Sequence, residues 1–115
     1  AIVFEQPEHL SLATLELTPP GAGDIVVDIE FSGVSTGTEK LLWNGQMPQF
    51  PGMGYPLVPG YESVGNVVSA GPDSGLVAGQ HVFVPGARCF GEVRGLFGGS
   101  ASKLVLPGAR AIVIE

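Results

Sequence analysis

Glycine or proline interrupts this chain so often that its apolar residues fall into short runs. The 115 residues include 18 Gly and 10 Pro, and both residue types end regular structure or mark turns. Short apolar runs between such breakers are typical of strands joined by tight turns. Because 44% of the residues are hydrophobic, the chain has enough apolar material for one compact core. We therefore predict a single, mainly β domain.

Seven short segments have the composition of strands. Their spacing, with a turn signal after nearly every segment, is typical of a β-barrel or a β-sandwich. The predicted strands cover residues 1–4, 10–17, 24–34, 62–71, 81–84, 100–106 and 111–114.

Residues 24–34 form the clearest strand, because apolar and mostly polar residues alternate along it with the period of two of a half-buried strand. Only residues 36–44 have a helical pattern, with Thr36 or Thr38 as the N-cap and Gly45 at the end. The apolar side of the strand would carry Ile25, Val27, Ile29 and Phe31.

The charge and cysteine content exclude several classes of protein. Eleven acidic and five basic residues give a net charge of −6, and the cations are scattered, which disfavours nucleic-acid binding.

No apolar run is long enough to span a bilayer, and the first residues lack the pattern of a secretory signal. His9, His81 and Cys89 match no common metal-binding spacing. A single cysteine and no signal fit a cytoplasmic location.

Two polar clusters follow predicted strands. The first, "STGTE" at 35–39, offers three hydroxyls and a carboxylate where a strand meets the predicted helix. A helix cap needs only one of those hydroxyls, so a cap and a functional site are equally consistent with it. The second, "PGYESVG" at 59–65, places Tyr61 and Glu62 between glycines. This cluster is either a glycine-bracketed strand or part of a site.

The loop at residues 45–60 is rich in proline and glycine but carries several large apolar side chains. Loops of this kind line pockets or fold over partners. Packing against the core is an equally good interpretation. The side chains are Met47, Phe50, Met53, Tyr55 and Leu57.

Taken together, "SGVSTGTE" and "PLVPGYESVG" resemble the amino-terminal, GroES-like catalytic domain of the medium-chain dehydrogenase/reductases, whose fold is a partly open β-barrel with short helices. In zinc-dependent members a cysteine of the first cluster and a histidine of the second bind catalytic zinc. Ser35 and Tyr61 stand at those positions here. The four-cysteine structural zinc loop of many members is absent too. The resemblance therefore implies a zinc-free branch with no bound metal.

Longer runs resemble the members of this family that oxidise (bacterio)chlorophyllides. The resemblance implies an NAD-dependent oxidation of a 1-hydroxyethyl group on the pigment to an acetyl group. It also implies a Rossmann domain downstream of residue 115, which would hold most of the NAD. A homodimer could form through that domain. Without it, the present domain would be inactive. The runs are "VSTGTEKLLWNGQMPQFPGMGYPLVPGYESVG" and "VFVPGARCFGEVRGLFGGSASKLVLP".

The resemblance and the chemistry of an alcohol oxidation together nominate the site residues. Tyrosine and serine are weak bases at neutral pH, so we expect a proton relay through water, Glu62 or the cofactor ribose. The alternatives are a zinc-free quinone-reductase-like enzyme, a GroES-like interaction module or a non-catalytic pigment-binding module. The candidates are Ser35, Thr38, Tyr61 and Glu62 for catalysis, Ser35 and Thr36 for the cofactor, and Trp43, Phe50, Met53 and Tyr55 for the substrate.

Overall fold

The computed structural model describes residues 1–34, 36–48, 53–95 and 97–114. Within these residues the chain is mainly β, as predicted, with one α-helix and one short 3-10 helix. In chain order the elements are β1 (Ile2–Gln6), β2 (His9–Leu12), β3 (Asp24–Ser32), α1 (Thr36–Asn44), β4 (Leu57–Val58), β5 (Ser63–Ala70), β6 (His81–Val84), β7 (Arg94–Gly95), β8 (Lys103–Pro107), the 3-10 helix (Gly108–Arg110) and β9 (Ile112–Ile114).

The strands form two sheets. One contains four strands in the order β2-β1-β4-β7, and the other contains five in the order β8-β3-β5-β6-β9. The pairs in the five-stranded sheet are antiparallel, whereas β4 and β7 of the smaller sheet run parallel. Short antiparallel strands joined by turns are what the frequent glycines and prolines predicted.

The main core is built largely by the five-stranded sheet. It combines side chains of the strands with Ala87, Cys89 and Phe90, which lie between β6 and β7, so its side chains come from most of the chain. Its buried residues are Val3, Ile25, Val27, Val58, Val67, Val82, Val84, Ala87, Cys89, Phe90, Leu104, Val105 and Leu106.

The alternation predicted for β3 holds for only part of the strand. Ile25 and Val27 are fully buried, but Phe31 is 74% exposed. The pairing of β3 with β5 shifts register between Ile29 and Phe31. Because a bulge of this kind moves the following side chains to the other face of the sheet, the prediction that Phe31 faces the core is wrong.

A second cluster, called the minor cluster below, lies between β1, α1 and β4. Its buried residues are Phe4, Leu42 and Leu57, and side chains from the loop between α1 and β4 pack against them. The helix bounds predicted from the sequence, residues 36–44, are confirmed. No helix of the described residues is long and apolar enough to cross a membrane.

The strand predicted for residues 10–17 is wrong over most of its length, since the observed strand is His9–Leu12. Beyond it the backbone bonds to separate segments and not to one neighbouring strand: the Ala13 N–H donates to the Ala1 carbonyl at 2.9 Å, and the Thr18 N–H donates to the Cys89 carbonyl at 2.8 Å. Leucines of this stretch still pack against the main core, which explains why its composition indicated a strand.

The sequence did not predict β4 and β7, because two residues are too few to show a periodic pattern. The ends of the other predicted strands lie within three residues of the observed ones. β4 and β7 matter for the site, since Leu57 pairs with Arg94 and Val58 pairs with Gly95, which joins the loop before Tyr61 to the segment before Phe97.

Candidate active site

The fold brings the two polar clusters of the sequence together. The Gly33 N–H donates to the Glu62 carbonyl at 2.6 Å, and Ser32 pairs with Ser63 where β3 and β5 meet. The end of β3 and the start of β5 therefore lie side by side, so the residues that enter α1 and those that precede β5 share one edge of the sheet. This juxtaposition is what a site built from both clusters requires.

Gly33 allows the Glu62 side chain to lie close to the backbone of β3. A Cβ atom at Gly33 would come within 2.6 Å of Glu62 Oε2, so no larger residue fits without moving the carboxylate. Glu62 itself is exposed, and its carboxylate is accessible at the edge where the two clusters meet.

A tight contact between backbones positions Tyr61. Gly60 has a φ of 100°, a conformation that favours glycine, and a Cβ there would lie 2.8 Å from the Ser100 backbone nitrogen. The Ser100 N–H donates to the Pro59 carbonyl at 2.9 Å, and the Gly99 N–H donates to the Gly60 carbonyl at 2.7 Å. Two hydrogen bonds thus hold the residues before Tyr61 against residues 99–100.

The Tyr61 ring stacks on Phe97, with the ring centroids 5.2 Å apart and the planes 26° from parallel. Phe97 is 38% exposed, so the pair presents apolar surface beside the polar edge. The next residue, Gly98, has a φ of 85° and donates its N–H to the Val58 carbonyl at 2.9 Å. Sequence reasoning missed Phe97; the paired glycines after it were the available signal of a close backbone approach.

The start of α1 provides the remaining candidates of the first cluster. Thr36 is exposed, Thr38 is half-buried, and a Cβ at Gly37 would meet no atom within 4 Å. The first turn of the helix is therefore open on the side of Gly37. Ser35, nominated for both catalysis and cofactor binding, lies outside the described residues, and its roles stay predictions.

The residues nominated for the substrate lie in or beside the minor cluster. Tyr55 and Met53 pack against it, the Tyr55 hydroxyl donates to the Leu42 carbonyl, and burial raises the pKa of that hydroxyl. Trp43 meets Phe4 edge to face, with ring centroids 5.7 Å apart, and is 37% exposed. Packing thus accounts for Met53 and Tyr55, while Trp43 keeps an open face.

Phe50, the remaining substrate candidate, lies outside the described residues. The substrate roles of all four nominated residues stay predictions. Three of them, Trp43, Met53 and Tyr55, contact side chains of the minor cluster.

A groove on the outer face of the larger sheet begins at the same edge. It is lined by Phe31, Ser32, Gly33, Glu62, Val64 and Phe83. Three of these side chains form a row, because Phe31 pairs with Val64 and Val64 pairs with Phe83 across neighbouring strands. The bulge that turns Phe31 outward therefore gives the site an apolar flank.

The side chains that could bind a metal are dispersed. Cys89 is buried in the main core, where the Val105 N–H donates to its sulfur at 3.5 Å and burial raises the pKa of the thiol. His81 Nε2 lies 3.2 Å from Glu30 Oε1 on the sheet surface. In the part of the chain that the structure describes, no three His, Cys, Asp or Glu side chains come together.

The fold and the meeting of the two clusters are those of a catalytic domain of the alcohol dehydrogenase type. The chain belongs to the alcohol dehydrogenase GroES-like domain family, whose model matches residues 21–115. It is 59% identical over 115 residues to the 2-desacetyl-2-hydroxyethyl bacteriochlorophyllide A dehydrogenase of Rhodobacter capsulatus, a match that covers 99% of this chain and 37% of the relative. The family that the two clusters indicated and the pigment-related branch that the longer runs indicated are both confirmed.

A second relative, the enzyme of the same name from Cereibacter sphaeroides, is 55% identical over 120 residues, covering all of this chain and 38% of that protein. Among solved structures, a short chain alcohol dehydrogenase from E. coli CFT073 in complex with NADH superposes with a TM-score of 0.75. It is 26% identical and matches 99% of this chain and 37% of that one. The chain thus spans less than two fifths of the length of these relatives.

Proposed function

We propose that this chain is the substrate-side domain of an NAD-dependent dehydrogenase that oxidises the hydroxyethyl group of a bacteriochlorophyllide to an acetyl group. The observation that carries the proposal is the 55–59% identity, over the whole chain, to two dehydrogenases named for such a pigment. The rest of the longer protein would supply a Rossmann domain that holds most of the cofactor, and a homodimer could form through it.

The reaction separates into a hydride transfer and a proton transfer. The bound nicotinamide accepts the hydride from the carbon that carries the hydroxyl. The protein must hold the hydroxyl and receive its proton, leaving a ketone. This second task falls to the edge where Tyr61 and Glu62 lie beside the end of β3, because it is there that hydrogen-bonding groups and a carboxylate come together.

Tyr61 and Glu62 have complementary chemistry for that task. A phenol hydroxyl can donate and accept hydrogen bonds, while a carboxylate only accepts them. We assign Tyr61 to the substrate hydroxyl, since it stands at the position of a metal ligand in zinc-dependent members, and Glu62 to the onward relay to water. Ser35 and Thr38 would complete the hydrogen-bonding around the reacting oxygen.

The residues present fit a nicotinamide nucleotide at the start of α1. Thr36 is exposed and the space beside Gly37 is open, so a hydroxyl and backbone N–H groups are available to ribose or phosphate oxygens. Ser35 and Thr36 would make these contacts. We assign NAD as the cofactor, because the superposed dehydrogenase carries NADH. A lower KM for NADP than for NAD would contradict this choice.

The experiment that tests the proposal is Tyr61→Phe in the full-length protein. This change keeps the ring and its stacking on Phe97 but removes the hydroxyl. We expect kcat to fall by about 10²-fold, the usual scale for losing a positioned proton donor or acceptor, with NAD affinity nearly unchanged. Ser69→Ala, which removes an exposed hydroxyl at the other end of β5, is the control. Rates for Tyr61→Phe within threefold of the parent would leave Tyr61 only a packing role.

The full-length protein should also turn over without zinc. Serine and tyrosine at positions 35 and 61 replace the thiolate and imidazole that zinc prefers. We expect elemental analysis of protein purified without chelators to show far less than one zinc per chain. A stoichiometric zinc ion, lost together with activity on dialysis against a chelator, would contradict the assignment of proton transfer to side chains alone.

A further inference from the structure

Arg94 lies three residues before Phe97 of the candidate site. It lies on β7, where it pairs with Leu57 of β4. Its guanidinium packs over Gly54, since a Cβ there would come within 2.9 Å of Arg94 Cζ, and Nη1 donates to the Tyr55 carbonyl at 3.4 Å. A glycine at position 54 therefore makes room for this side chain, and one long hydrogen bond orients it.

No carboxylate neutralises Arg94 among the described residues. The two ion pairs there join Lys103 to Asp28 at 3.4 Å and His81 to Glu30 at 3.2 Å. The chain carries eleven acidic side chains and only five Lys and Arg, so acidic partners are abundant, yet none of the acidic side chains that the structure describes forms an ion pair with Arg94. A guanidinium has five N–H donors; one of them donates to the described part of the chain, and the side chain is exposed.

The parallel pair of β4 and β7 joins the two segments that precede Tyr61 and Phe97 in the sequence. β4 ends at Val58 and β7 ends at Gly95, and in the sequence Tyr61 follows Val58 by three residues and Phe97 follows Gly95 by two. Phe97 follows Arg94 by three residues, so covalent geometry limits their Cα atoms to a separation of about 11 Å. Arg94 and Phe97 are therefore close enough along the chain for one large, planar ligand to reach both.

We propose that Arg94 binds the carboxylate of the substrate while Phe97 and the Tyr61 ring contact the face of its planar macrocycle. The inference rests on the proposed function and specifies how the pigment is recognised. A chlorophyllide differs from a chlorophyll in that its propionate side chain is a free acid and carries no long-chain alcohol. Arginine forms paired, charge-assisted hydrogen bonds with a carboxylate, and aromatic rings stack on flat conjugated systems.

The test compares two substrates in the full-length protein, the free-acid pigment and its methyl ester, which differ only in the charge that Arg94 would recognise. We expect the parent to oxidise the acid with a KM about 10- to 100-fold below that for the ester. Arg94→Gln should raise the KM for the acid to that for the ester while kcat stays close to the parent value. Arg94→Lys, which keeps the charge but not the planar fork, should recover part of the preference.

Three further variants separate recognition from folding. Gly54→Ala should displace the guanidinium, because the new methyl group would meet the end of a flexible side chain and not backbone, and should weaken the preference for the acid without changing the melting temperature. Gly23→Ala, where a Cβ meets nothing within 4 Å, and Arg110→Gln in the 3-10 helix are the matched controls, and both should behave as the parent does.

The outcomes distinguish a failure of this inference from a failure of the proposed function. Equal losses for acid and ester in Arg94→Gln would show that Arg94 only supports the loop and would overturn the inference. A parent that oxidises acid and ester equally well would also overturn it, while leaving the proposed function intact. A full-length protein that binds NAD but oxidises neither pigment would overturn the proposed function itself.

Discussion

The main core and the minor cluster are both apolar and both buried, but the chain builds them in different ways. The main core takes most of its side chains from strands of one five-stranded sheet. The minor cluster takes single residues from β1, α1 and β4 and is closed by side chains of a loop. A core built on a sheet is fixed by many hydrogen-bonded neighbours, whereas a loop-closed cluster can readjust when one member changes.

Replacing one buried leucine in each region is the strongest test of that difference. Leu104 and Leu42 are 0% and 1% exposed, so Leu104→Ala and Leu42→Ala remove equally buried side chains. We expect Leu104→Ala to lower the free energy of unfolding by about 4–5 kcal/mol and Leu42→Ala by about 2–3 kcal/mol. The smaller loss arises because unbranched methionines border Leu42 and can fill part of the cavity.

Urea unfolding of the 115-residue chain, followed by circular dichroism, would measure both losses. Equal losses, or a larger one for Leu42→Ala, would show that the loop is as rigid as the sheet. In that case the minor cluster would be a full part of the folding unit.

The same contrast explains what the sequence could predict. In β3 an alternating pattern correctly indicated a half-buried strand, because each residue's environment repeats with a local period. It failed at Phe31, since a bulge depends on the pairing with β5 and not on the residues of β3 alone. Sequence reasoning failed also for residues 13–17. Their apolar side chains pack against the main core, while the N–H groups of Ala13 and Thr18 bond to separate segments.

The candidate site could be predicted in part for a related reason. Tyr61 and Glu62 were found from glycine-bracketed polar residues and from the family pattern, both of which are local in the sequence. Phe97 and Arg94 were missed because their places depend on the parallel pairing of two-residue strands, which leaves no periodic signal. Long-range contacts between short segments are therefore where sequence reasoning stopped.

Tyr55→Phe sharpens the comparison with a smaller effect. The Tyr55 hydroxyl donates to the Leu42 carbonyl, one of the carbonyls in the last turn of α1 that have no partner within the helix. Removing the hydroxyl should lower the free energy of unfolding by about 1 kcal/mol, chiefly by loosening the loop from α1. The measurement is urea unfolding of parent and variant at pH 7. A loss of more than about 3 kcal/mol would mean that this one bond holds the minor cluster together.

The smallest expected effect is a difference between the two regions in how the free energy of unfolding depends on pH. Burial raises the pKa of Cys89, in the main core, above its ordinary value of 9.0, and it raises the pKa of Tyr55, at the minor cluster, above 10.0. A raised pKa in the folded state means that the unfolded chain loses its proton first. The contribution of each protonated group to folding stability is therefore complete below its ordinary pKa, and it is lost as the pH rises through the pKa of the folded state. Stability should begin to fall near pH 9 because of Cys89, with a slope below the limit of about 1.4 kcal/mol per pH unit for one proton.

In Cys89→Ala the fall in stability should begin at about pH 10, where Tyr55 loses its proton in the unfolded chain. In Tyr55→Phe the fall should still begin near pH 9. Urea midpoints measured in steps from pH 8 to 11 would resolve the two onsets. An unchanged onset in Cys89→Ala would show that the thiol is deprotonated as easily in the folded chain as in the unfolded one, and that the main core admits water at this position.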